Sequence, residues 1–174
     1  MESYTITIYT EHKIGILTRV VSVFTRRHIN IESITASESS LKGVYRFTIV
    51  VKINEETVQK VVLQLEKAVD ILKAFYYDDS QIIYQEIALY KVPTKAFTKK
   101  NQVEKIIRTH HARILEIEAD YTVIEKTGHQ QETEALLSDL QEIGVYEFVR
   151  SGRVAIVKPM ESLNKYLQSL AKKP

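Results

Sequence analysis
Apolar and polar residues alternate at the start of the chain, with Tyr4, Ile6 and Ile8 on one side and Thr5 and Thr7 on the other. A β-branched run of period two predicts a half-buried strand. Thr10-Glu11-His12-Lys13 breaks the alternation and Gly15 supplies a turn. Leu17, Val20, Val21 and Phe24 then recur at the spacing of a core-facing helical stripe. Arg19 lies off that stripe, and Arg26 and Arg27 fall in the expected last turn, where cations suit the helix dipole. His28-Ile29-Asn30-Ile31 opens a second strand reaching Ser37, and Lys42-Gly43 turns a hairpin. Tyr45, Phe47, Ile49 and Val51 form a third strand. Asn54 caps a second helix with the stripe Val58, Val61, Val62 and Leu65, and residues 71–77 close as a fourth strand.

Strand, helix, strand, strand, helix, strand is the split βαβ or ferredoxin-like plan, an α+β fold with two helices on one face of an antiparallel sheet. The other face then meets solvent, a partner sheet or a ligand. The second half repeats the order without repeating the residues. Residues 85–92 read as a strand ended by Pro93, and Asn101 caps a helix carrying Val103, Ile106, Ile107 and His110. Two strands follow over 112–126, then a Thr127-Gly128 turn, and a helix over 131–142 ended by Gly144. A strand over 145–149, a turn at 150–152, an extended run over 154–157 and a short tail helix from Ser162 to Ala171 complete the pattern. Two βαββαβ units are expected, 1–79 and 80–174, with no Gly/Ser linker between them.

Composition narrows the chemistry. The absence of cysteine excludes disulfides, thiol nucleophiles and cysteine-bound zinc. A net charge of +2 gives no broad basic face for nucleic acid. No apolar run is long enough to span a membrane, and MESYTITIYT lacks the basic-then-apolar pattern of a secretory signal, so a cytoplasmic location is expected. The histidines at 12, 28, 110, 111 and 129 have no metal-ligand spacing, and no G-x-S-x-G elbow or phosphate-binding glycine loop is present. No catalytic residues and no metal are expected. Tyr45 and Phe47 invite comparison with base-stacking sheets, but Val44 stands where an RNA-binding motif needs its first aromatic.

Gly15 and Asn30 are candidates of another kind. Free backbone N–H groups at a strand-to-helix turn suit a ligand carboxylate, and glycine lets it approach closely. Asn30 has an amide that both donates and accepts, available toward the same place. Composition alone favours structural roles, a turn for Gly15 and a loop cap for Asn30. Ile14, Ile16 and Leu17 line either an apolar pocket or the core.

The run from Gly15 to Thr35, GILTRVVSVFTRRHINIESIT, resembles the start of the regulatory (small) subunit of acetolactate synthase, also called acetohydroxyacid synthase. Gly15, Leu17, Arg19-Val20, Phe24, Arg27 and Asn30-Ile31-Glu32-Ser33 carry the likeness, the last four most specifically. It extends through residues 67–72, 85–89 and 147–152. The resemblance implies an N-terminal ACT domain that forms a homodimer and binds valine, leucine or isoleucine at the pair interface as feedback inhibitor. It implies a C-terminal domain that helps activate a catalytic (large) subunit. Thiamine diphosphate, Mg²⁺ and FAD belong to that subunit, and no cofactor to this chain. The implied effector site comprises His12, Gly15, Ile16 and Asn30, with Ile14, Leu17 and Ile31 beside them. His12 stands where family members often carry Asn, and Ser37 replaces a small apolar residue. An amino-acid sensor for another enzyme is the alternative.

Overall fold
Strand β1 (Glu2–Glu11) forms where the alternation predicts it, in a computed structural model that describes residues 2–98 and 102–158. The Asn101 cap and the tail helix over 162–171 lie outside the described residues. β1 is buried on both faces rather than one, Thr5 and Thr7 as deeply as Ile6 and Ile8. The cause is its central place in an antiparallel sheet of order β2-β3-β1-β4, with β2 (Ser33–Glu38), β3 (Val44–Ile53) and β4 (Ile71–Asp78). Helices α1 (Ile16–Thr25) and α2 (Glu55–Leu65) cover the face of Ile6, Ile8, Phe47 and Ile49. Residues 153–158 supply groups to the opposite face. The Arg153 guanidinium donates to Thr5 Oγ1 at 2.9 Å and to Asp79 at 2.7 Å, and Arg46 donates to the Ala155 carbonyl. Tyr9 is buried on that face, and desolvation pushes its hydroxyl pKa up despite the nearby Arg46.

Helix α2 follows its sequence signals. Asn54 accepts the Thr57 N–H at 2.8 Å, and Val58, Val61, Val62 and Leu65 all point inward. Helix α1 is rotated from the expected stripe. Ile16, Val20, Val23 and Phe24 are buried, Leu17 faces out and Val21 is half-buried. Apolar residues occupy both stripes, and packing on the sheet selects the one that starts at Ile16. The helix also stops sooner than expected. His28 takes a left-handed conformation (φ 53°), its N–H donates to Thr25, and the Ile29 N–H donates to Phe24 at 3.0 Å. That is a Schellman stop. It leaves Arg26 at the C-terminal cap with its N–H still on Ser22, Arg27 just past it, and delays β2 from His28 to Ser33.

The chain divides into two compact units, the second comprising residues 85–152 and the first 2–84 with 153–158. After β5 (Ile82–Pro93) and a 3₁₀ turn (Thr94–Thr98) come α3 (Gln102–Thr109), β6 (Arg113–Ile117), β7 (Tyr121–Gly128), α4 (Gln130–Gln141) and β8 (Glu147–Arg150). The strand order β6-β7-β5-β8 repeats that of the first sheet, and β9 (Val154–Val157) pairs with β5. The helix stop is repeated too. His111 is left-handed (φ 50°) and the Ala112 N–H donates to Ile107 at 2.9 Å. The expected Thr127-Gly128 turn does not form there. Gly128 stays in β7, paired with Glu86, and the Glu132 carboxyl lies over it, 2.8 Å from where a Cβ would stand. The chain reverses one residue later, at His129.

Glu132 accepts the His129 N–H at 2.7 Å, and this bond holds its carboxyl below the ordinary carboxylate range. Glu132→Ala is expected to cost about 1 kcal/mol at neutral pH, the usual weight of a helix cap. The folded-state pKa lies below the unfolded value of roughly 4.3, so the contribution is full above that value and fades as pH falls through the folded one. Urea titrations of both proteins at neutral pH and in acid check this: the difference should shrink in acid.

Candidate functional site
The strand-to-helix turn of the first unit is shaped by Gly15. Its φ of 85° and ψ of −3° are left-handed, and a Cβ there would meet nothing within 4 Å. Glycine is present for backbone conformation rather than for lack of room. It occupies the N-cap of α1 with no side-chain cap, so first-turn N–H groups face outward at the positive end of the helix dipole. The Ile16 N–H bonds back to Lys13 at 3.2 Å and the Arg19 N–H to Gly15 at 3.1 Å. The turn is also tied to the neighbouring hairpin. The His12 N–H donates to Gly43 at 3.1 Å, and the His12 ring stacks on Tyr45 with centroids 4.0 Å apart.

On this turn the side chains diverge. Ile14 is fully exposed, Leu17 is about half exposed, and Ile16 is buried in the core at 7% exposure. Lys13 and Arg19 both reach the Asp70 carboxylate from opposite sides of the glycine. Sequence reading missed Asp70. Asp70 lies in the 67–72 stretch that shares the family likeness, but as a lone acid between Val69 and Ile71 just before a strand it suggests no role at the turn.

Asn30 and Ile31 do not join this group within one chain. They follow the C-terminus of α1, whereas Gly15 precedes its N-terminus, and the ten-residue helix separates them by about 15 Å at 1.5 Å per residue. Asn30 is exposed, and Ile31 packs partly against the first core. Helix α2 packs on β4 and β1, so α1 lies toward the other side of the sheet, whose outer strand β2 pairs only with β3 and is an edge. Ile34 and Leu17 are exposed along this flank.

Phe47 is buried under the helices and Tyr45 is stacked by His12, so neither is a free platform for a base. The second unit turns Ile87, Leu89 and Val149 outward from its sheet. A recess of about 250 Å³ opens there, lined by Leu89 and Val149 together with Lys91, Glu116 and Glu147. Among the described residues no group of three or more His, Asp or Glu side chains is placed to hold a metal ion, and no helix is long and apolar enough to cross a membrane.

Residues 6–73 match the family model of the AHAS small subunit-like ACT domain, and residues 85–159 match that of the small subunit of acetolactate synthase. The acetolactate synthase small subunit of Bacillus subtilis is 34% identical over 88% of this chain and 89% of its own length. That of Mycobacterium leprae is 33% identical over 90% of this chain and 92% of its own. The crystal structure of the acetolactate synthase small subunit from Thermotoga maritima superposes with a TM-score of 0.83 at 27% identity, covering 91% of this chain and 99% of that one.

Proposed function
We propose that this chain, which belongs to the family of acetolactate synthase small subunits, acts without catalytic residues of its own, activating the catalytic subunit and transmitting feedback inhibition by a branched-chain amino acid. The observation that carries the sensing half is the placement of Gly15 and Asn30 at opposite ends of α1. One ligand touches both only if two chains contribute. Antiparallel pairing of β2 with the β2 of a second copy lays the two α1 helices side by side and antiparallel. The Gly15 turn of one copy then lies beside Asn30 of the other. An open edge strand with exposed apolar flanks supports such pairing.

In that homodimer the ligand carboxylate is received by the first-turn N–H groups of α1. Gly15 permits the close approach, and the Asn30 amide of the second copy closes the site. Ile14 and Leu17 offer apolar surface to the aliphatic side chain, and Ile31 does so from the second copy. Ile16 contributes backbone, since its side chain belongs to the core. His12, held on Tyr45, sets the shape of the turn. The outward sheet face of the second unit offers apolar area for the catalytic subunit. Thiamine diphosphate, Mg²⁺ and FAD are assigned to that subunit, and the pair works in the cytoplasm.

The experiment is reconstitution. This chain alone should turn over no pyruvate, and adding it to its catalytic subunit should raise activity several-fold. Valine, leucine or isoleucine should then lower that activity. Unchanged activity on mixing removes the activating role, and indifference to all three amino acids removes the sensing role.

A further inference from the structure
Asp70 lies between α2 and β4, and its side chain is only 13% exposed. It grips the Gly15 turn at three points. Its carbonyl accepts the Glu11 N–H at 3.1 Å, Oδ1 accepts Lys13 Nζ at 3.1 Å, and Oδ2 accepts Arg19 Nη1. Lys13 stands two residues before the glycine and Arg19 four residues after it. One carboxylate therefore fastens both arms of the turn. Lys13 is shared with Glu11, at 2.6 Å.

Two physical considerations give this contact weight. Glycine at the pivot of the turn is free to occupy many conformations, so the left-handed one must be imposed from outside. Most surface ion pairs contribute little because both partners are solvated. Here the shared carboxylate is largely withdrawn from water and accepts a charge-assisted bond on each oxygen, which makes its loss costlier than that of an exposed pair. Removing this carboxylate loosens both arms of the turn and also frees two half-exposed cations; solvent screens their pull on an anion, so the loss of order is the larger effect on a site built from oriented N–H groups.

We propose that Asp70 is the positioning residue of the effector turn. It touches no ligand, and it holds the Lys13–Arg19 arms so that Gly15 and the first-turn N–H groups of α1 are arranged to receive the carboxylate of a branched-chain amino acid. This rests on the effector reading given above. It explains why an acid buried in a short loop finds its side-chain partners, among the described residues, on the turn it restrains.

The test uses the full chain with valine, leucine and isoleucine as separate probes. Binding is measured by calorimetry for the wild type, Asp70→Ala and Asp70→Asn, with amide exchange followed over residues 11–19. Asp70→Ala is expected to weaken binding about tenfold. Asp70→Asn, which keeps one acceptor oxygen, is expected to weaken it about threefold. Exchange over 11–19 should quicken while that of α2 holds steady. In the reconstituted holoenzyme, maximal activation should be unchanged while the inhibitory concentration rises, a split that a general loss of folding would not produce. Unchanged exchange and affinity in either variant overturns the proposal, as does activation falling in step with inhibition. If Asp70→Ala does not fold, Asp70→Asn alone decides by the same two readouts. A wild type that binds none of the probes overturns the effector reading and the ligand role of Asp70 with it. The exchange data then still report whether Asp70 tethers the turn.

Discussion

Gly15→Asp is expected to abolish feedback inhibition while leaving activation of the catalytic subunit close to normal. The space is available, since a Cβ at this position meets nothing within 4 Å. The backbone cost is modest. Aspartate tolerates the left-handed region better than most residues, and the strain is about 1 kcal/mol, small beside the stability of a folded domain. The new carboxylate, however, lies at the helix N-terminus that would receive the ligand carboxylate, and it would satisfy those N–H groups itself. Losing the charge-assisted bonds and adding like-charge repulsion should raise the inhibitory concentration about 100-fold, near 2.7 kcal/mol. Inhibition curves of the reconstituted enzyme with valine check this, and an unchanged curve would place the site elsewhere.

The second large effect is expected from Ala36→Pro. The Ser39 N–H donates to Val44 across the hairpin at 2.8 Å. By the alternation of an antiparallel ladder, the N–H groups of Ser37 and Thr35 also point toward β3, while those of Ala36 and Ile34 point to the open edge. Proline at 36 therefore spares the ladder of its own sheet and removes a donor from the edge. If β2 pairs with its copy, the variant should be monomeric at micromolar concentration and should lose amino-acid binding at the same time. Light scattering reads the first and calorimetry the second. A dimer that still binds would move the interface away from β2.

The architecture is legible in the sequence because period and caps agree in most elements. Asn54, the α2 stripe and the repeated strand–helix order each say the same thing twice. Where sequence and structure part, two patterns compete. Leu17 and Val21 are as apolar as Ile16 and Val23, so only packing against β1 and β3 decides which stripe of α1 turns inward. The helix stops at His28 and His111 leave only a weak sequence signal, because glycine is the usual residue in a left-handed stop and histidine an occasional one. The alternation of β1 predicts a half-buried strand because nothing in it announces that Arg153 reaches its polar face from the far end of the chain.

For the site, sequence locates the Gly15 turn but not its restraint. Asp70 lies 51 residues from Arg19, and an acid in a short loop resembles any solvated turn. Sequence also suggests that Asn30 faces the same place as Gly15. The length of α1 prevents this within one chain, so a ligand that meets both residues needs a second copy.

Shared sites of this kind can be tested by complementation. Gly15→Asp and Asn30→Ala chains each lack one half of the site, and homodimers of either should bind no valine. Co-expressed with different tags and purified as a mixed dimer, they unite the intact Gly15 turn of one chain with the intact Asn30 of the other. Calorimetry should then find valine bound at one molecule per two chains. A mixed dimer that binds none, while the wild type binds two, would contradict a site built from both copies.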